Sequence, residues 1–216
     1  MSPTVVLPAG SGGGGIAAIS ELGAIGGSVM AGSHFYLPGW SYRNTGETVE
    51  ASDDRIYYTP IFVQRAHTFA AIAVYGGFGG NDWGANAVAR LGVYNAGFDA
   101  DDRLEPTSLL VDSGTVNLDT AGLHEIVADI VLEGGTWYYL AIATDRNGGT
   151  DGSLDAPFTD YVAAPFSSWH NGNPGAASNY CLRQVLADAA DNGLPDPAAP
   201  TVDTNPTLAA KAFLRD

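Results

Sequence analysis

Short apolar segments divided by turn residues constrain this chain more than any other feature. From Thr59 to Asp145 it reads "TPIFVQRAHTFAAIAVYGG", then "AVARLGVYNAG", "SLLVDSGTVNLDTAGLHEIVADIVL" and "EGGTWYYLAIATD". Turn signals recur about every 8 to 14 residues, the rhythm of an all-β sandwich or barrel. No segment holds a helical period over several turns. Ile56, Tyr58, Ile61 and Val63 alternate imperfectly around Pro60, which predicts an edge strand or a bulge there. In "HTFAAIAVYGG", Phe69, Ala71, Ala73 and Tyr75 are expected on one face and His67, Ala70, Ile72 and Val74 on the other. Both faces are apolar, as in a strand buried inside a sandwich.

Composition supports a folded core. Hydrophobic residues make up 45% of the 216 and charged ones 15%, the reverse of a disordered chain. The net charge of −15 leaves no basic stripe for a nucleic-acid backbone and disfavours anionic membranes. With Cys181 as the single cysteine, neither an internal disulfide nor a cysteine-based zinc site is available. The opening "MSPTVVLPAGSGGGGIAAIS" lacks the basic and unbroken apolar regions of a signal peptide, and no apolar run approaches a membrane span. The expectation is synthesis in a cytoplasm, with any external role reached by assembly.

Residues 1–33 read as a flexible glycine-rich arm, either awaiting a partner surface or simply a frayed terminus, and residues 34–216 as the β domain. Beyond Asp145 the chain loosens into glycine, proline, asparagine and serine, with Phe158, Tyr161, Phe166 and Trp169 among them. "YCLRQVLAD" reads as a returning strand, "NGLPDPAAPTVDTNP" as a connection unable to pair inside a sheet, and "TLAAKAFLRD" as a closing strand.

Catalytic patterns are thin. His34, His67, His124 and His170 have no ligand-like spacing, and there is no G-x-S-x-G elbow, Walker loop or H-E-x-x-H. Most aspartates sit in turns, where they bond their own backbone, so the chain is read as a non-enzyme without a cofactor. One acidic loop, with Asp99, Asp101, Asp102 and Glu105, offers oxygen ligands for Ca²⁺ but lacks the order of an EF-hand loop. The competing reading is a solvated hairpin loop.

Aromatics on glycine-rich loops suggest recognition. "YGGFGGNDWG" sets Tyr75, Phe78 and Trp83 beside Asn81 and Asp82, and "FSSWHNGN" sets Trp169 beside Asn171. Flat rings next to amides and acids match what sugars offer, a C–H face and hydroxyls. The same aromatics would equally plug the end of a sandwich or face a neighbouring subunit.

Five segments carry a resemblance: Pro60–Phe62, Arg90–Asn95, Leu110–Val116, Gly122–Ile126 and Leu132–Ala141. In this order and spacing they resemble a recurring module of tail-fibre and minor tail proteins of tailed bacteriophages, and "GLPDPAAP" and "PTLAAKAFLR" resemble its closing segment. The resemblance covers residue 36 to the end. Its stretch between the second and third segments departs from the glycine- and asparagine-rich turn usual there, being "FDADDRLEP" here. It implies an antiparallel jelly-roll-like β-sandwich and a virion component, most simply a tail fibre or host-recognition protein. Such a protein would be a homotrimer that binds other phage structural proteins of tail, baseplate or capsid, and host surface polysaccharide. A head fibre or capsid decoration protein is the alternative within the virion, and a free carbohydrate-binding module the alternative outside it.

Overall fold

The computed structural model describes residues 35–36, 41–43, 49–50, 54–63, 65–76, 86–100, 104–120, 122–145, 153–154, 160–162, 181–203 and 212–215. For 35–36, 41–43, 49–50, 75–76, 153–154, 160–162, 181 and 202–203 this is the backbone alone. The arm at 1–33 lies outside the described residues.

The described chain is all-β, built from antiparallel strands with one helix of four residues. Three short strands come first, β1 (Phe35–Tyr36), β2 (Ser41–Arg43) and β3 (Val49–Glu50). Six long ones follow: β4 (Arg55–Val63), β5 (His67–Gly76), β6 (Val88–Phe98), β7 (Leu104–Asn117), β8 (Gly122–Leu132) and β9 (Thr136–Asp145). The remainder are β10 (Ser153–Leu154), β11 (Asp160–Val162), β12 (Cys181–Val185), helix α1 (Ala189–Asn192), β13 (Thr201–Asp203) and β14 (Phe213–Arg215).

One sheet runs in the order β13-β12-β4-β9-β6-β7. The other centres on β5, which pairs with β8 along its whole length and with β14 and β10 opposite, while β2 and β11 pair separately. The closing strand expected near the C-terminus is β14, which joins β5 to β1. The returning strand expected after Tyr180 is β12.

Alternation explains the core. Tyr57, Ile61 and Val63 from β4, Leu91 and Val93 from β6, and Tyr138, Leu140 and Ile142 from β9 turn one way. They meet Phe69, Ile72 and Val74 from β5, Ile130 and Leu132 from β8, and Leu214 from β14. Two sheets thus close on one dry layer, the principal source of stability in such an architecture.

Two local readings are corrected. Phe69 does not share a face with Ala71, Ala73 and Tyr75, because the β5–β8 register shifts between Phe69 and Ala71. The shift carries Phe69 into the core with Ile72 and Val74, while Ala71 and Ala73 stay on the other face. Strand β4 is not an edge strand along its length, for Ile56–Tyr58 lie between β12 and β9. Pro60 falls in the half beyond the reach of β12, where the described residues give β4 only β9 as neighbour and a missing N–H costs little.

The six-stranded sheet also buries its outer face. Ile56, Tyr58, Tyr94, Tyr139, Ala141, Ala143 and Leu182 form a second cluster, closed by Ala189, Ala190 and Leu194. The covering layer is therefore α1 and the proline-rich segment after it. Residues 193–200 of that segment, kept from pairing by their prolines, cross the sheet as a strap, and its Thr201–Asp203 then pair with β12 as the edge strand β13.

Candidate functional site

Strand directions sort the loops between two ends of the molecule. Strands β4 to β9 run alternately up and down, as their antiparallel registers require. Gly76 at the end of β5 pairs with Gly122 and Leu154, and Val88 at the start of β6 pairs with Asn117 and Asp145. The chain therefore leaves for residues 77–85 and 146–152 at one and the same end, beside the β7–β8 turn.

Tyr75 lies there, paired with Leu123 through its backbone. The side chain of Tyr75, and Phe78, Asn81, Asp82, Trp83, Trp169 and Asn171, lie outside the described residues. What the scaffold supplies is the anchor of the first aromatic loop: Ala87 accepts from the Leu118 N–H at 2.8 Å, tying the loop's exit to the β7–β8 turn.

The acidic loop sits at the opposite end, at the tip of the β6–β7 hairpin, where Phe98 pairs with Leu104 and Gly97 with Glu105. Partial burial first, and the Asp99 carboxylate second, push the Glu105 carboxyl above its ordinary range. Asp101 and Asp102 lie outside the described residues, and among the described residues no three His, Cys, Asp or Glu side chains are grouped to hold a metal. The strand ends that lead to the first aromatic loop and to the acidic loop thus lie at opposite ends of the frame.

Sequence reasoning passed over two features. At the acidic end Phe62 and Trp137 lie 5.1 Å apart with rings tilted by 49°, both half-buried on the outer face of the six-stranded sheet. Their adjacent places on β4 and β9 become visible only once the register is known.

The second is the anchorage of the strap. Along β6, Arg90, Gly92 and Tyr94 alternate onto the outer face. Arg90 Nε donates to both Asp112 oxygens at 2.9 and 3.0 Å, and its Nη1 donates to the Ala190 carbonyl at 2.9 Å. A Cβ on Gly92 would collide with Leu194 Cδ1 and lie 2.7 Å from the Val111 carbonyl oxygen, so the glycine forms the seat for Leu194. The Tyr94 hydroxyl donates to the Pro195 carbonyl at 2.7 Å.

Asp112 accepts from the Leu194 N–H at 3.3 Å, and Asp196 accepts from the Leu109 N–H at 2.9 Å. Gly193, at φ 108°, supplies the positive-φ backbone that leads from α1 into the strap.

Three buried tyrosines complete the layer. Tyr58 donates to Gln184 Oε1 at 2.9 Å and stacks edge-on against Tyr94, with centroids 5.3 Å apart. Tyr139 donates to the Leu104 carbonyl at 2.7 Å. Burial is the main cause that raises all three hydroxyls above the ordinary phenol value; the Tyr58 hydroxyl adds to it at Tyr94, and the Glu105 carboxylate at Tyr139. They stay protonated and act as donors. The arrangement holds backbone in place and offers no activated nucleophile.

No protein-family model, curated protein or solved structure matches the chain.

Proposed function

We propose that this chain is a structural protein of a tailed-bacteriophage virion, a tail-fibre or host-recognition component made in the host cytoplasm and assembled onto the particle. In this reading residues 1–33 attach it to a tail, baseplate or capsid protein, and the glycine-rich aromatic loops bind cell-surface glycan. It carries no catalytic site. The fold would be a jelly-roll-like sandwich, and a homotrimer would multiply weak sugar contacts into avidity.

One observation carries the proposal. Three of the segments that resemble the phage module form one constellation: Gly92 and Tyr94 on β6 and Asp112 on β7 hold "GLPD" at 193–196, and Arg90 braces Asp112 and the Ala190 carbonyl just before it. Two motifs about 100 residues apart, at Tyr94 and Pro195, therefore depend on one another physically, which supports reading them as one module. The emergence of the first aromatic loop at one end of a rigid frame supports recognition there, since loops on β scaffolds are the usual place for binding. A head fibre or decoration protein would share this scaffold, and a free carbohydrate-binding module would lack the particle.

The test begins with purified particles. Labelling with an antibody against this chain should decorate them at one position, and particles without the chain would overturn the reading. For recognition, Trp83→Ala and Trp169→Ala are expected to lower adsorption to host cells while thermal unfolding stays unchanged. Loss of about 3–5 kcal/mol of stability instead would assign both tryptophans to packing.

A further inference from the structure

Among the described residues β8 is a long edge strand, paired with β5 along one side and with no strand along the other. Its outward face is apolar to a degree that an exposed edge rarely shows: Val127 is 80% exposed, Val131 65% and Leu123 41%. Two acids alternate with them. Glu125 is bridged at 3.0 Å by Arg215, which reaches from β14 across the small Ala71 and Ala73 of β5. Asp129 stands exposed between Val127 and Val131.

From this pattern we infer that β8 is a docking edge for an extended, basic segment of another protein, which adds to the sheet as a further strand. The main-chain groups of an open edge supply the hydrogen bonds, and alternate side chains set the register. Charge chooses the occupant. Two copies of β8 pairing antiparallel about Val127 would set Leu123 opposite Val131, an apolar match, but would also set Glu125 opposite Asp129 at two places. Like charges directly opposed are destabilising, and a chain of net charge −15 adds repulsion at longer range. A partner strand with apolar residues opposite Leu123, Val127 and Val131 and a lysine or arginine opposite Asp129 matches the apolar positions and the exposed acid, Glu125 being already bridged by Arg215. Asp129 thus disfavours self-pairing in the register that matches the apolar residues, and favours a basic strand. The inference rests on β8 alone and stands whether or not the chain belongs to a virion.

The test uses the full-length protein and three short synthetic peptides. In the first, valines alternate with lysines on one face and threonines occupy the other; the second replaces the lysines by glutamates; the third scrambles the first. The lysine peptide is expected to bind at least about tenfold tighter than the other two, to weaken as salt is added, and to slow amide exchange along β8. Val127→Lys should abolish that binding, and Asp129→Lys should turn the preference toward the glutamate peptide. Because both side chains are exposed, both variants are expected to fold. Equal binding of the lysine and glutamate peptides, protection away from β8, or self-association at neutral pH that Val127→Lys removes would each overturn the inference.

Discussion

Gly92 shows how one residue fixes a long-range contact. Any side chain there would meet Leu194 and the Val111 carbonyl oxygen, so the position is closed to all but glycine unless the strap or β7 moves. Gly92→Ala should cost about 1–3 kcal/mol by overpacking. Leu194→Ala, which empties a site 7% exposed, should cost about 2–4 kcal/mol. The two losses should not fully add: shortening Leu194 relieves the new methyl of one of its two contacts and leaves the Val111 carbonyl oxygen, so the double variant should be more stable than the sum of the singles predicts. Urea denaturation of the four proteins checks this. Strict additivity would mean that Leu194 is not seated on Gly92.

At the scale of elements, the strands were legible and their dependence on one another was not. Period-two alternation and turn residues marked β4 to β9, because a half-buried strand must write its two faces into its sequence. The face of Phe69 was misread because the register shift opposite it depends on β8, about 60 residues further on, and leaves no trace in local alternation. The strap was illegible for a related reason. "GLPDPAAP" has no period, and its partners Arg90, Tyr94 and Asp112 look like ordinary strand residues until β6 and β7 lie beneath it. A small or polar residue at every second place from Arg90 to Tyr94 was the available signal that something covers that face. Of the candidate site, the strand leading to the first aromatic loop was legible in Tyr75, whereas the acidic loop's distance from it was not, since only strand order separates the two ends.

The strap should also loosen as a unit. Asp112 joins Arg90 to the Leu194 backbone, with its side chain about a quarter exposed. Asp112→Ala is expected to cost about 1–2 kcal/mol, a value suited to part-buried charged hydrogen bonds. It should speed proteolysis at residues 193–200 well before the sandwich unfolds. Cleavage that keeps pace with global unfolding would show that the strap and the sheets form one cooperative unit.

The whole molecule carries its negative charge on a compact frame, and repulsion among those charges opposes folding. Moderate salt should raise the melting temperature, since screening reaches roughly 8 Å at 0.15 M. Glu105 adds a titratable share. Its folded carboxyl holds a proton more tightly than the unfolded one, because burial and the Asp99 carboxylate raise it. Between the ordinary and the raised value the folded state therefore binds more protons, and stability falls as pH rises through that window. At neutral pH the full penalty is in force, and below the ordinary carboxylate range it is gone. Glu105→Gln, which keeps the shape and removes the charge, should melt above the unsubstituted protein at pH 7, with the gap closing on acidification through the carboxylate range. Melting curves of both proteins across that range, with and without calcium, separate two roles for the hairpin tip. If Ca²⁺ binds among Asp99, Asp101, Asp102 and Glu105, the ion should stabilise the unsubstituted protein at pH 7 more than the Gln variant. Equal curves with calcium and with chelator would leave the tip as a solvated acidic loop whose repulsion the fold tolerates.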